Sequence, residues 1–123
     1  MTRINVVDPK ELSTKHLVAE YREIMRLPGN LNTSLNRKGK KFNLKEIPEN
    51  YTLGTGHVKF FYNKMEFLEK RFKMLVQEML NRNYKPNYTE MKTFAICDEQ
   101  YYNDYIPTLE AIIINRQRIA ERS

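Results

Sequence analysis

The chain is poor in the residues that make covalent or metal staples. It has one cysteine, Cys97, and two histidines, His16 and His57. A single cysteine excludes an intrachain disulfide, and one cysteine with two histidines cannot assemble a Cys/His metal cluster, so no metal site is expected. Cys97, between Ile96 and Asp98, reads as inert packing, because a catalytic thiol needs a histidine partner. Gly (4) and Pro (5) are few, and the apolar residues recur at helical spacing; both favour a mostly helical chain. No apolar run approaches the roughly 18 residues that a spanning helix needs. The N-terminus is too polar for a signal peptide, and the expected compartment is the reducing cytoplasm. Ser/His/Asp constellations and phosphate loops are also missing, which leaves amine or carboxylate chemistry, or binding alone.

What is present points to a folded, basic protein. Its 123 residues, 41% apolar and 11% aromatic, suit one domain over 1–123 with a modest core. The expected class is all-α, a single compact domain of about three main helices with irregular connecting loops. Lys and Arg number 21 against 15 Asp and Glu, a net charge of +6, which favours a polyanionic partner; nucleic acid fits better than a membrane.

Residues 1–7 are expected to be short and extended. Asp8-Pro9-Lys10-Glu11 then predicts a helix start, with Asp8 as cap, Pro9 in the first turn and Glu11 reaching back. That helix is predicted to run to about Leu27 and to break at Pro28-Gly29. At about 100° per residue, Leu17, Val18, Tyr21, Ile24 and Met25 form a buried stripe. His16, Arg22, Glu23 and Arg26 share the opposite face around Ala19. This grouping reads either as a solvated face with ordinary ion pairs or as one carboxylate set among two guanidiniums and an imidazole.

Residues 29–52 read as irregular or short-helical. Arg37-Lys38-Gly39-Lys40-Lys41 is either a charged loop or a phosphate-tracking one. The longest helix is predicted over Val58–Asn81, with Phe60, Phe61, Met65, Phe67, Leu68, Phe72, Leu75, Val76, Met79 and Leu80 as its apolar band. Gly54-Thr55-Gly56 before it could offer backbone N–H groups to a phosphate, although it has no P-loop or dinucleotide spacing; His57 reads as structural. Tyr84, Tyr88, Tyr101, Tyr102 and Tyr105 could stack on bases or cover the edge of the core. A last helix is predicted from Pro107 or Thr108 to Arg122, with Leu109, Ile112, Ile113 and Ile119 inward and Arg116, Arg118 and Arg122 making its end basic.

The terminus has chemistry of its own. Removal of Met1 before a small residue leaves Thr2 with a free α-amine. Such an amine titrates near ~7.7–8.0, well below a lysine, and nearby cations such as Arg3, Arg22 and Arg26 lower it further. It is thereby equipped to attack a sugar carbon and form a Schiff base, with Glu23 handling protons.

Met1-Thr2-Arg3-Ile4-Asn5 and His16-Leu17-Val18-Ala19-Glu20-Tyr21-Arg22-Glu23 closely resemble the bacteriophage pyrimidine-dimer DNA glycosylase (endonuclease V) family. Leu53-Gly54-Thr55-Gly56-His57-Val58, Phe60-Phe61-Tyr62, Glu66-Phe67-Leu68, Lys70-Arg71 and Asp104-Tyr105-Ile106-Pro107 continue the likeness in the same order. It lapses over 27–30 and 84–100. The resemblance implies a single all-helical domain without metal or organic cofactor. It implies a DNA-repair N-glycosylase on cyclobutane pyrimidine dimers that also acts as an abasic-site lyase, nicking by β-elimination; the substrate expected of this chain is such dimers or other damaged bases. It maps the amine nucleophile onto Thr2 and the essential carboxylate onto Glu23. The DNA-gripping side chains map onto Arg3, His16, Arg22 and Arg26, with Arg118 and Arg122 as phosphate contacts. It also implies kinked DNA with base flipping. The expected partner is double-stranded damaged DNA, met by a monomer in the cytoplasm, the host's if the protein is phage-encoded. The alternative is a non-catalytic DNA-binding relative using the same basic surface.

Overall fold

The computed structural model describes residues 4–39, 42–94 and 98–122. Thr2, Arg3, Lys40, Lys41 and Cys97 lie outside the described residues. Five α-helices carry the described fold: α1 (Thr14–Ile24), α2 (Leu27–Leu35), α3 (His57–Phe60), α4 (Met65–Asn81) and α5 (Leu109–Arg122). Four short 3-10 turns fill the connections, and no strand occurs among the described residues. The class is therefore all-α, as its composition implied.

The first helix begins later than Asp8-Pro9 suggests. Asp8 does act as a cap, accepting from Lys10 N–H at 3.0 Å, but over a separate 3-10 turn, Pro9–Glu11. Leu12 is then extended and buried, and Ser13 caps α1 by accepting from His16 N–H at 3.2 Å. Two caps compete within six residues, and burying Leu12 between them selects the second. Glu11 does not reach back to Asp8; it binds Arg116 of α5 through two oxygens at 3.0 and 3.1 Å.

Pro28 does not end a helix but opens one. The chain turns at Met25 and Arg26, and Pro28 sits in the first turn of α2, where a missing N–H costs nothing. Burying Leu27, Pro28 and Leu31 fixes α2 against the core.

The predicted Val58–Asn81 helix is two helices, α3 and α4, separated by a turn over 61–64. Phe60, Phe61 and Tyr62 are consecutive and all buried. One face of a continuous helix cannot bury three successive residues, since each step rotates about 100°. Breaking the helix buries all three. Lys64 caps the break, its Nζ donating to the Phe60 carbonyl at 2.8 Å and lying 3.9 Å over the Phe60 ring.

The core lies chiefly between α1 and α4. Leu17, Ile24, Leu68 and Leu75 are fully buried there, and Tyr21 stacks on Phe72 with ring centroids 5.7 Å apart. Leu80 is 46% exposed, so the band of α4 stops at Met79. Leu109 and Ile113, expected inward, are 73% and 55% exposed. The inner face of α5 is instead set by Ala111 and Asn115, because Asn115 has buried partners described below. No helix among the described residues is long and apolar enough to cross a membrane.

Candidate active site

The segment Ile4–Val7 runs through the middle of the molecule without regular structure and is buried at every residue. Its backbone has no strand partner, so side chains satisfy it, as buried polar groups require. His57 Nε2 accepts from Ile4 N–H at 2.9 Å, and the Tyr51 hydroxyl donates to the Ile4 carbonyl at 3.2 Å. Asn115 Oδ1 accepts from Val6 N–H at 2.7 Å, and Arg71 Nη1 donates to the Val7 carbonyl at 2.7 Å. Four side chains from distant parts of the chain thus converge on three residues.

The side chain of Asn5 joins these anchors. Its Nδ2 donates to Glu20 Oε1 at 2.7 Å, and its Oδ1 accepts from Asn115 Nδ2 at 2.7 Å. Glu20 is fully buried and pairs with Arg71 through both oxygens. Asn5, Glu20, Arg71 and Asn115 therefore form one continuous buried polar network. Each carboxylate oxygen has a donor, which is the condition for holding an ionised pair inside a core. Sequence reasoning missed this network. The available signal was the helical phase of Glu20, which falls on the border between the buried stripe and the Glu23 face, midway between Ile24 and His16.

The other face of α1 opens to solvent. Glu23 is largely sheltered, its side chain 19% exposed, and Arg26 Nη1 stands 3.5 Å from Glu23 Oε2. Arg22 and Arg26 are exposed and His16 is half-buried. The structure thus pairs Glu23 with Arg26 and sets Arg22 with Arg26 along one cleft, on the face that the helical phase predicted. Arg22 and Arg26 line a shallow cleft of about 390 Å³ with Met25, Tyr88 and Met91. A larger apolar groove of about 500 Å³ shares Met25 and Met91 with it and continues along α2 to Tyr101.

Tyr88 owes its place to Tyr21. The Tyr21 hydroxyl accepts from Tyr88 N–H at 2.9 Å and donates to the Tyr88 carbonyl at 3.0 Å. This fixes the Tyr88 backbone while its residue stays 60% exposed. The tyrosines therefore divide: Tyr101 is buried and Tyr102 and Tyr105 are half-buried, whereas Tyr84 and Tyr88 present themselves to solvent.

The basic residues of α5 have separate surroundings. Arg116 is engaged by Glu11, which raises its pKa further. Arg118 pairs loosely with Glu121 at 3.7 Å, and Arg122 is exposed in the last turn. Among the described residues no group of three or more His, Cys, Asp and Glu side chains is placed to hold a metal ion.

A family model described as pyrimidine dimer DNA glycosylase matches residues 1–92. The match takes in the buried N-terminal segment, α1 with Glu20 and Glu23, the His57 turn and all of α4, and it stops before α5. On that match, which spans well over half of the sequence, the chain belongs to the pyrimidine dimer DNA glycosylase family.

Proposed function

We propose that this glycosylase works through the α-amine of Thr2, uncovered when Met1 is removed, and that it is also an abasic-site lyase on double-stranded damaged DNA. The observation that carries the reading is the anchoring of Asn5 on Glu20. Glu23 lies one helical turn beyond Glu20, about 4.5 Å along the axis. Thr2 lies three residues before Asn5, a reach of at most about 10 Å. A stub of that length is long enough to reach the Glu23 carboxylate from the Asn5 anchor, which supports the reading.

The amine attacks C1′ of the lesion nucleotide. The N-glycosidic bond breaks, and the base leaves with its electron pair and takes up a proton. The attached nitrogen gives up one proton, its lone pair breaks the C1′–O4′ bond, O4′ takes up a proton as the sugar ring opens, and an iminium forms between C1′ and the Thr2 nitrogen. Glu23 balances this developing positive charge and accepts the proton lost from C2′. The electrons of that C–H bond form the C2′–C3′ double bond and expel the 3′ phosphate, which nicks the strand by β-elimination. Water then hydrolyses the imine, freeing the amine and leaving an unsaturated aldehyde on the DNA.

Arg22 and Arg26, at the mouth of the cleft, suit the flanking phosphates. Arg3 and His16 are assigned to the same DNA contact, and Arg118 and Arg122 to phosphates farther along the duplex. The test is borohydride reduction of the Met1-free protein mixed with abasic duplex. The expected product is a covalent adduct through residue 2, read by peptide mass spectrometry; absence of any adduct would overturn the assignment.

A further inference from the structure

In the turn Gly54-Thr55-Gly56-His57 the last amide is taken within the turn itself. The His57 N–H is taken by the Gly54 carbonyl at 3.1 Å, and the Gly56 carbonyl accepts from Phe60 N–H at 3.0 Å. What the turn delivers is the imidazole. Gly56 holds a left-handed φ of 89°, and a Cβ there would stand 3.1 Å from Pro48 Cγ, so glycine lets the chain turn tightly under Pro48 into α3.

His57 is held in one tautomer by its partners. Nδ1 lies 2.8 Å from the Thr52 carbonyl, which can only accept, so Nδ1 carries the hydrogen. Nε2 is then a lone-pair acceptor, as the Ile4 N–H requires. The ring is 1% exposed and meets Tyr51 edge-on, at 5.5 Å between centroids. Tyr51 holds the other side of the same residue by donating to the Ile4 carbonyl.

Of the anchors on the N-terminal segment, this pair grips the described residue nearest the terminus. Two residues separate Ile4 N from the Thr2 nitrogen, a covalent reach of at most about 7 Å. An error in the seat of Ile4 is carried directly into the position of the amine. A displacement of about 1 Å of a reacting group costs on the order of 100-fold in rate.

We propose that Tyr51 and His57 are positioning residues for the terminal amine, fixing the N–H and the C=O of Ile4 so that a short stub aims the nucleophile at the sugar carbon. This rests on the proposed role of the Thr2 amine.

The experiment compares Met1-free wild type with Tyr51→Phe, His57→Gln and His57→Leu. Tyr51→Phe removes one hydroxyl and keeps the ring. His57→Gln keeps an acceptor near the Nε2 position, whereas His57→Leu removes it. Three readouts are taken: the single-turnover rate of borohydride trapping on abasic duplex, affinity for a duplex with an uncleavable tetrahydrofuran site, and the rate at which glycolaldehyde with cyanoborohydride alkylates the terminal amine.

The expected result is a trapping rate lowered about tenfold or more in Tyr51→Phe and His57→Leu, partly restored in His57→Gln. Affinity stays within about twofold of wild type, and glycolaldehyde reactivity is unchanged, because a small free aldehyde needs no aim. Wild-type trapping rates in both Tyr51→Phe and His57→Leu would overturn this inference while leaving the nucleophile in place. A uniform fall in all three readouts, with a lowered melting temperature, would also overturn it by reducing the pair to a folding role. No adduct with wild type would remove the nucleophile and this inference together.

Discussion

Glu20 and Arg71 form an ion pair at the centre of the molecule, with side chains 0% and 4% exposed. The pair joins α1 to α4, and each partner also holds the N-terminal segment: Glu20 through the Asn5 amide and Arg71 through the Val7 carbonyl. Removing one partner strands a buried charge, which typically costs about 3–5 kcal/mol. Glu20→Gln and Arg71→Met are each expected to destabilise the protein on that scale, measured by urea denaturation. The double replacement is expected to recover only part of the loss, because the Val7 carbonyl remains without its donor.

Asn115 gives a second test of the same network from the far end of the chain. Its amide accepts from Val6 N–H and donates to Asn5 Oδ1. Asn115→Leu leaves a buried backbone donor unsatisfied, at about 1–3 kcal/mol. Nicking is expected to fall more than stability accounts for, since the segment that carries Thr2 is loosened. Activity measured well below the melting temperature checks this; a loss that tracks unfolding alone would count against it.

The sequence made the two faces of α1 legible because helical phase is local. It separated Leu17, Tyr21 and Ile24 from Arg22, Glu23 and Arg26, and the structure agrees. Glu20 was not legible, because nothing local says that a carboxylate at the edge of an apolar stripe meets an arginine 51 residues away. Asn115 is the same case: its burial depends on Asn5, 110 residues distant, and it is the reason Ile113 faces outward. The helix break at 61–64 was readable in principle from Phe60-Phe61-Tyr62, since three adjacent aromatics cannot share one face. Thr2 was reached from the chemistry of a free amine and singled out by family likeness, for a chain terminus has no periodicity.

Glu23 is sheltered beside Arg26 but not buried in the network, so its removal tests chemistry more than folding. Glu23→Gln keeps the shape and loses the charge. It is expected to bind abasic duplex with near wild-type affinity and to lose about 10²–10⁴-fold in nicking rate. Wild-type nicking by this variant would remove Glu23 from the mechanism.

Lys64 predicts a pH effect on stability. Burial holds its ammonium to about 8 in the folded protein, against 10.5 for an ordinary lysine. Between those values the unfolded chain binds more protons than the folded one, so this group makes stability rise with pH from about 8 to 10.5. Lys64 is partly open to solvent, so the slope is expected to be shallow. Lys64→Met should flatten it, seen as the difference between the two proteins in melting temperature from pH 7.5 to 10.5.

The basic residues of α5 make a prediction about salt rather than chemistry. Arg116 is occupied by Glu11, whereas Arg122 is exposed and Arg118 has only a loose pairing with Glu121. A phosphate contact releases counterions, so each one lost flattens the dependence of log affinity on log salt by about 0.9. Arg118→Ala and Arg122→Ala are each expected to lower the slope by about that amount on damaged and undamaged duplex alike. Arg116→Ala is expected to change it less, because its guanidinium already faces a carboxylate. Arg22→Ala and Arg26→Ala are expected to lower the slope and also the nicking rate at saturating DNA, since Arg26 pairs with Glu23 and Arg22 lines the same cleft as Arg26. If Arg116→Ala changed the slope as much as Arg122→Ala, the pairing with Glu11 would not govern which arginines on α5 reach the DNA.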